Sequence, residues 1–325
     1  MDVLSEVLRA VRLNAAVFFD IDVTAPWAVA SPDTSEVRAR VMPSSDHVIP
    51  FHFLMEGSAW LQTDLPGVAP ILLSQGDIIL LPRGDAHFLG SDPTTRVQPN
   101  MAHYHRPTNQ ELPFRVSEIG DPAGPPARIV CGYFGWDAGP FNPLLDALPP
   151  VTHVKSHPWH DCVATTFITA ALDERNANRP GREAILAQLS ELMLLQAIRV
   201  HIDTLPSGSD GWLSGLRDPL VGRALQLIHA DPSRDWTLAS LARETGLSRS
   251  ALAERFSRLV KHPPMQYLAR WRMQLATHAL MQGRATIAGI AAEVGYESEA
   301  AFNRAFKRVV GVPPGLWRRN RQDAA

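Results

Sequence analysis

The chain has 325 residues, 45% hydrophobic and 20% charged, a balance that fits a folded globular protein and excludes a disordered one. Two cysteines, Cys131 and Cys162, exclude a disulfide scaffold and a zinc site built from four thiolates. The net charge of −2 hides an asymmetry: residues 1–216 hold 14 basic and 24 acidic residues, net −10, and residues 217–325 hold 17 and 9, net +8. The length predicts two or three domains, and the basic rear has the electrostatic footprint of a nucleic-acid binder. No apolar run reaches the roughly 18 residues of a membrane span, so no membrane partner is expected. The acidic N-terminal stretch lacks the basic region and apolar core of a signal peptide, which makes the cytoplasm the expected location.

Residues 2–13 read as an amphipathic helix. Short strands follow over 17–120: VRARVM (37–42), FHFLM (51–55), AWLQT (59–63), PILLS (70–74) and DIILLP (77–82). Glu56-Gly57, Pro66-Gly67, Gly76-Asp77 and Gly84-Asp85 punctuate them, and IVCGYF (129–134) reads as a further strand. Many short strands at this spacing predict a sandwich or barrel. Three prolines in 143–150 mark a boundary. Helical patterning then covers 161–177 and, after Pro180-Gly181, a broad apolar stripe that includes Ile185, Leu186, Leu189, Leu192, Met193, Ile198 and Val200. A helical hairpin over 156–204 is expected to pack on the barrel and on a second subunit, giving a homodimer; packing within the monomer is the alternative. LPSGSDGWLSG (205–215) has a linker's composition, so 205–217 is predicted to be a linker.

Residues 238–271 and 287–320 are two copies of one pattern. The offset is 49 before the turn (Ala242 to Ala291, Gly246 to Gly295) and 50 after it (Ser248 to Ser298, Phe256 to Phe306, Pro264 to Pro314). Each copy has the parts of a helix-turn-helix: a short apolar-faced helix, a glycine able to end it, a serine placed as N-cap, a second helix and a proline pair that stops it. The modules cover about 238–260 and 287–310. Spacing puts Leu252, Phe256 and Leu259 inward on the first recognition helix, and Arg249, Ser250, Ala253, Glu254 and Ser257 outward. On the second it puts Phe302 and Phe306 inward, and Glu299, Ala300, Asn303, Arg304 and Lys307 outward. Asn reads adenine and Arg reads guanine by paired hydrogen bonds, which makes Asn303 and Arg304 the best base readers. Glu254 suits a cytosine amine and Ala253 a thymine methyl. Arg249, Arg258, Lys307, Arg308, Arg318 and Arg319 suit phosphate contacts.

The segment IAAEVGYESEAAFNRAFKRVVGVPPGLWRR resembles the signature of the AraC/XylS family of bacterial transcription regulators. The matching features are Gly295-Tyr296, Ser298, Phe302, Arg304, Phe306-Lys307-Arg308, Gly311, Pro314 and Arg318; Pro313 stands where many members carry Ser or Thr. The resemblance covers about 218–320. It implies two helix-turn-helix modules joined by a long helix, here about 264–282, that sets the recognition helices in successive major grooves, one helical turn of about 34 Å apart. It also implies promoter DNA as partner and activation through RNA polymerase.

GDIILLPRGDAH (76–87) resembles the second motif of cupin barrels, with Gly76, Pro82, Gly84 and His87 in register. The first cupin motif is not matched: DHVIPFHFLMEG carries His47 and His52 without a His-x-His pair or its glutamate. Residues 2–155 as a whole resemble the cupin-type sensor half of one branch of AraC-like regulators, a branch in which one regulator responds to reactive chlorine by cysteine oxidation. A sensed small molecule or a redox signal follows from this, with Cys131 as the redox candidate. His52, Trp60, His87, His103 and His105 are candidates for an effector pocket, with Trp136 beside Trp60. His103-Tyr104-His105 alternates as a strand does, which aims both imidazoles at one face. Four histidines suit a transition metal, but the incomplete cupin motif leaves the metal and cofactor assignments at none. His153, His157 and His160 form a second cluster.

The expected fold is multidomain α+β: a cupin-like β-barrel sensor (1–155), a helical dimerisation hairpin (156–204), a linker (205–217) and an all-α double helix-turn-helix domain (218–320). The expected function is a sequence-specific DNA-binding transcription regulator and not an enzyme. The alternative is a metal-dependent cupin enzyme fused to a DNA-binding domain.

Overall fold

The computed structural model describes residues 2–11, 13–104, 114–137, 139–156, 166, 169–170, 182–206, 208–283 and 285–322. The chain forms two compact units. A sheet unit holds residues 13–137 and 148–204, and a helical unit holds residues 1–12, 138–147 and 205–325. The sequence assigns the first two helical-unit stretches to the front domain; in the structure they pack with the rear helices. Helix α1 (Val3–Ala10) starts at Asp2, whose carboxylate accepts the Leu4 N–H, and buries Val3, Leu4, Val7 and Ala10 on one face.

The sheet unit runs β1 (Leu13–Thr24), β2 (Ala28–Ser31), α2 (Thr34–Val41), β3 (His47–Glu56), β4 (Ser58–Thr63), β5 (Ile71–Ser74), β6 (Ile78–Leu80), β7 (His87–Gly90), β8 (Phe114–Gly120) and β9 (Pro126–Trp136). After α3 (Pro143–Ala147), which belongs to the helical unit, come β10 (Thr152–Val154) and α4 (Arg182–Thr204). The strands form a six-stranded sheet ordered β10-β6-β3-β9-β1-β8 and a four-stranded sheet ordered β2-β7-β4-β5. All pairs are antiparallel except β1 with β8. Phe19, Ile21, Ile79 and Ile129 from the first sheet and Leu61, Leu73 and Leu89 from the second share one core. Helix α4 lies on β1 and β10. The first helix of the expected hairpin, 161–177, lies almost wholly outside the described residues.

Two strand expectations fail. Residues 37–41 belong to helix α2 and Met42 is its C-cap, because VRARV places Val37 and Val41 four apart, a spacing that serves a helix as well as a strand. The Asp33 carboxylate accepting the Ser35 N–H starts the helix, which buries Thr34, Val37 and Val41. Residues 101–104 form a 3₁₀ turn and not the strand that the His103–His105 alternation suggests.

The helical unit continues with α5 (Trp212–Arg217), α6 (Pro219–Ala230), α7 (Leu238–Thr245), α8 (Arg249–Val260), α9 (Pro264–Met281), α10 (Ile287–Glu293), α11 (Glu299–Val310) and α12 (Pro314–Gln322). The expected linker is half folded: Trp212 and Leu213 of α5 are buried, and the Trp212 indole donates to the Tyr267 hydroxyl at 2.9 Å. Caps set the module boundaries. Thr237 and Ser240 form a capping box on α7, and Gly246 ends it in the left-handed region at φ 72°. Ser248 caps α8 through the Ala251 N–H and Ser298 caps α11 through the Ala301 N–H.

Helix α9 serves both modules. Tyr267 in its first half stacks edge-on against Phe256 of the first module. Met273, Ala276 and Leu280 in its second half join Ile290, Phe302, Phe306 and Trp317 in the core of the second. Gln274, also buried, holds the two front stretches: its side-chain carbonyl accepts the Phe141 N–H at 3.4 Å and its amide donates to the Ala10 carbonyl at 3.1 Å. Among the described residues no helix is long and apolar enough to cross a membrane.

Candidate functional site

In the helical unit, Leu252, Phe256 and Leu259 of α8 and Phe302 and Phe306 of α11 are buried. On the opposite face of α8, Arg249, Ser250 and Glu254 are exposed, and Ala253 and Ser257 are half-buried. On α11, Glu299, Ala300, Arg304 and Lys307 are exposed and Asn303 is half-buried. The Asn303 side-chain carbonyl oxygen is shielded from water and has no hydrogen-bond partner among the described residues. Arg258, Arg308 and Arg319 are exposed as phosphate contacts require. Arg318 is engaged within the protein: its guanidinium donates to the Ala285 carbonyl at 2.8 Å and ties α12 to the loop before α10.

In the sheet unit, β3 and β9 bring His52 opposite Cys131, and β7 supplies His87. Hydrogen bonding fixes the tautomers of this trio. The Asp85 carbonyl can only accept, so His87 donates to it from Nδ1 at 2.9 Å. A neutral His87 then accepts at Nε2, and His52 donates to it from its own Nε2 at 2.6 Å. That leaves His52 Nδ1 as the acceptor for the Cys131 thiol at 2.8 Å. Burial, helped by the His87 ring, holds the His52 pKa well below the ordinary imidazole range. Burial takes His87 to about 4, against a weaker upward pull from its bond to Asp85. Burial also pushes the Cys131 thiol up, with the Asp20 charge adding to it.

His52 and Cys131 form one wall of a cavity of about 50 Å³ whose other sides include Phe19, Ile21, Val29, Leu89, Tyr104 and Tyr133. The Ser31 and Tyr133 hydroxyls hydrogen-bond to Tyr104, so polar groups gather on an otherwise apolar surface. A bulge in β1 between Val17 and Phe19 falls beside it, opposite Gly132 and Cys131; bulges re-aim the side chains next to them.

Of the expected pocket residues, His52 lines the cavity and His87 stands one hydrogen bond behind it. Trp60 does not line it. Its neighbours Ala59 and Leu61 enter the core, so strand alternation turns Trp60 to the other face of β4, where it is half-buried. Trp136 is fully buried core. The His103 side chain, His105, His157, His160 and Cys162 lie outside the described residues. His153 binds Asp77 at 2.9 Å, and Asp77 also accepts the Ser156 and Ser74 N–H groups, which pins β10 to the turn before β6. Tyr104 and Tyr133 carry no motif and were missed; only the packing of β9 and the 3₁₀ turn brings them together.

A cupin barrel raises the question of a metal. His52 Nε2 donates to His87 Nε2 at 2.6 Å, and the described residues hold no group of three or more His, Cys, Asp or Glu placed to bind an ion. Among the described residues, His52 and His87 spend these nitrogens on each other and make no metal centre.

A sheet unit with a small internal cavity, joined to paired helix-turn-helix modules that turn basic and amide side chains outward, defines a DNA-binding regulator. The profile of the Cupin family matches residues 2–203, and that of a helix-turn-helix domain matches residues 241–320. An AraC-like transcription regulator of Streptomyces lividans is 35% identical over 325 residues, covering 98% of this chain and 99% of the relative. One from Streptomyces antibioticus is 33% identical over 321 residues with the same coverage. The HTH-type transcriptional regulator AlkR of Acinetobacter baylyi is 31% identical over 326 residues, again covering 98% and 99%. The chain belongs to the AraC family of transcription regulators with a cupin-type N-terminal domain, and it is a sequence-specific DNA-binding regulator.

Proposed function

We propose that this regulator is switched by a small organic molecule received in the cavity beside His52. The carrying observation is the cavity wall: His52, Cys131, Tyr104 and Tyr133 present hydrogen-bonding groups on an apolar surface, the make-up of a ligand site. At about 50 Å³ it is a third of an engineered cavity of roughly 150 Å³ that admits benzene, so the effector is small or the site expands around it. Binding shifts an equilibrium between DNA-competent and DNA-incompetent states through differential affinity.

A cysteine switch is the second reading, favoured by the His52 nitrogen 2.8 Å from the Cys131 sulfur as a proton acceptor. Against it, burial keeps the thiol protonated, and the thiolate is the reactive form.

The division of labour is sensing in the sheet unit, dimerisation through α4 and DNA reading by the helical unit, without catalytic turnover. Ile185 and Leu192 support the dimer: they are 44% and 46% exposed, seven residues apart on one face of α4. Asn303 and Arg304 read bases, with Arg249, Ser250, Ala253, Glu254, Ser257, Glu299, Ala300 and Lys307 completing the interface. The protein acts in the cytoplasm at promoter DNA, and RNA polymerase is its activation partner.

The test is a thermal-shift screen of small organic molecules on the reduced protein, followed by DNA binding by fluorescence anisotropy. A hit should shift wild-type DNA affinity. His52→Gln and Tyr133→Phe should lose the shift while keeping ligand-free DNA affinity. A hit that works equally on both variants removes the cavity as its site. DNA affinity that responds only to oxidant, and not in Cys131→Ser, makes the second reading correct.

A further inference from the structure

The two helix-turn-helix modules share α9, but the structure ties them at a second place. The loop between α6 and α7, which leads into the first module, is tightly knit. The Asp231 carboxylate accepts the Ser233 hydroxyl at 2.8 Å and the Arg234 N–H at 3.0 Å, and the Asp231 carbonyl accepts the Trp236 indole N–H at 2.9 Å. This fold turns three consecutive carbonyls toward Arg272 of α9. The guanidinium donates to Pro232 at 2.7 Å, to Arg234 at 2.9 Å and to Ser233 at 3.4 Å.

The other side of the same guanidinium faces the second module, 5.6 Å from the centre of the Tyr296 ring, within the range of a cation–π contact. Tyr296 sits in the turn between α10 and α11. Its neighbour Gly295 takes φ 83°, and a Cβ there would stand 2.4 Å from the Ser233 carbonyl oxygen. Loop and turn are in backbone contact, and the glycine makes the approach possible.

We infer that Arg272 is a positioning residue that fixes the separation at which the two modules read DNA, and so sets the spacing of the two half-sites in the operator. A single helix leaves its ends free to twist and bend. A guanidinium that holds one module's leading loop and lies under the other module's turn removes that freedom. Each inserted base pair moves the second half-site by about 3.4 Å and turns it by about 35° around the duplex. A locked pair of modules cannot follow. Lysine cannot replace arginine here, because a single ammonium does not span three carbonyls and an aromatic face.

The test uses the full chain and a duplex enriched from a random pool by the wild-type protein, then rebuilt with one or two base pairs inserted between the half-sites. Wild-type affinity should fall at least about tenfold on the first insertion, the scale of a lost base-pair contact. Arg272→Met should bind the original duplex more weakly and lose clearly less than wild type on insertion. Arg272→Lys should behave like Met, although it keeps the charge; rescue by lysine would make the role a phosphate contact and overturn the inference. So would equal insertion penalties in wild type and Arg272→Met, or a wild type indifferent to spacing. Tyr296→Leu, with the Arg272 hydrogen bonds intact, is the second variant should Arg272→Met fail to fold, and it should relax spacing to a smaller degree. Unchanged spacing preference in Tyr296→Leu as well would sink the proposal.

Discussion

The sheet-unit cavity and the recognition helices treat charge in opposite ways. Around the cavity two imidazoles, a thiol and two phenols are buried, and desolvation holds each in its neutral form. On α8 and α11, Arg249, Arg304 and Lys307 stand in solvent with their charges displayed. The first arrangement suits a group that must tell one small molecule from another by shape and hydrogen bonds in a low dielectric. The second suits a polyanion, whose attraction is long-ranged and salt-dependent. Perturbing the two regions should therefore give different signatures: pH and packing for the cavity, salt and base identity for the helices.

The largest effect should come from behind the charged face and not on it. Phe306 is fully buried between Phe302 and Trp317, with ring centres 5.5 and 6.4 Å away. Phe306→Ala should cost about 3–5 kcal/mol, measured by chemical denaturation, and abolish DNA binding. The exposed Lys307 next to it should show the reverse: Lys307→Ala should change stability by less than about 0.5 kcal/mol and lower the salt slope of binding by about one. Equal stability losses in the two variants would break the contrast.

The next effect is on pH. The His87 pKa falls from 6.5 free to about 4 folded, and that of His52 also falls. Between those two values the unfolded chain binds a proton that folded His87 refuses, so the His87 contribution is complete above 6.5, declines as pH drops through the window and is lost below about 4. His87 alone contributes on the order of 3 kcal/mol. His229 in the helical unit, lowered by burial to about 3, acts with the same sign. The informative comparison is therefore wild type against His52→Gln/His87→Gln, whose denaturation midpoint should depend less steeply on pH. An unchanged slope would show that these imidazoles are not held neutral.

Arg304→Ala should cost about 1–3 kcal/mol at one base position and less elsewhere, read by anisotropy on a set of single-base operator variants. A uniform loss across all positions would make Arg304 a phosphate contact. A small effect on stability alone belongs to Arg255, which forms an ion pair with Asp218 at 2.6 Å and keeps 40% of its side chain exposed. Asp218 is only 13% exposed, but it also accepts the Leu220 and Val221 N–H groups, so it keeps partners when Arg255 is removed, and Arg255→Met should cost about 1 kcal/mol and leave base preference unchanged. Its counterpart after the turn in the second module is Ala305, so the pair distinguishes the two modules.

The helix-turn-helix repeat was legible because its determinants are local. A serine caps the helix that starts beside it, a glycine ends the helix before it, and inward residues recur at the helical period, so Ser248, Gly246 and Phe256 announce their roles within a few positions. The cavity was half legible. A motif pointed to His87, a set of histidines near it to His52 and the family resemblance to Cys131, but nothing in the sequence said that β3 and β9 would set His52 beside Cys131. Nor did it say that alternation would turn Trp60 away or that Tyr104 would arrive on a 3₁₀ turn. Residues 37–41 show the limit sharply: Val-Arg-Ala-Arg-Val satisfies a strand and a helix alike, and the Asp33 cap with burial of Val37 and Val41 settled it. Arg272 had no sequence signal, since its partners are backbone carbonyls some forty residues away and carbonyls have no letter in the sequence. The sequence by itself determined the elements whose stability is local and the family they build. Tertiary structure decided which side chains meet, because hydrogen bonds and desolvation act between groups that only the completed fold makes neighbours.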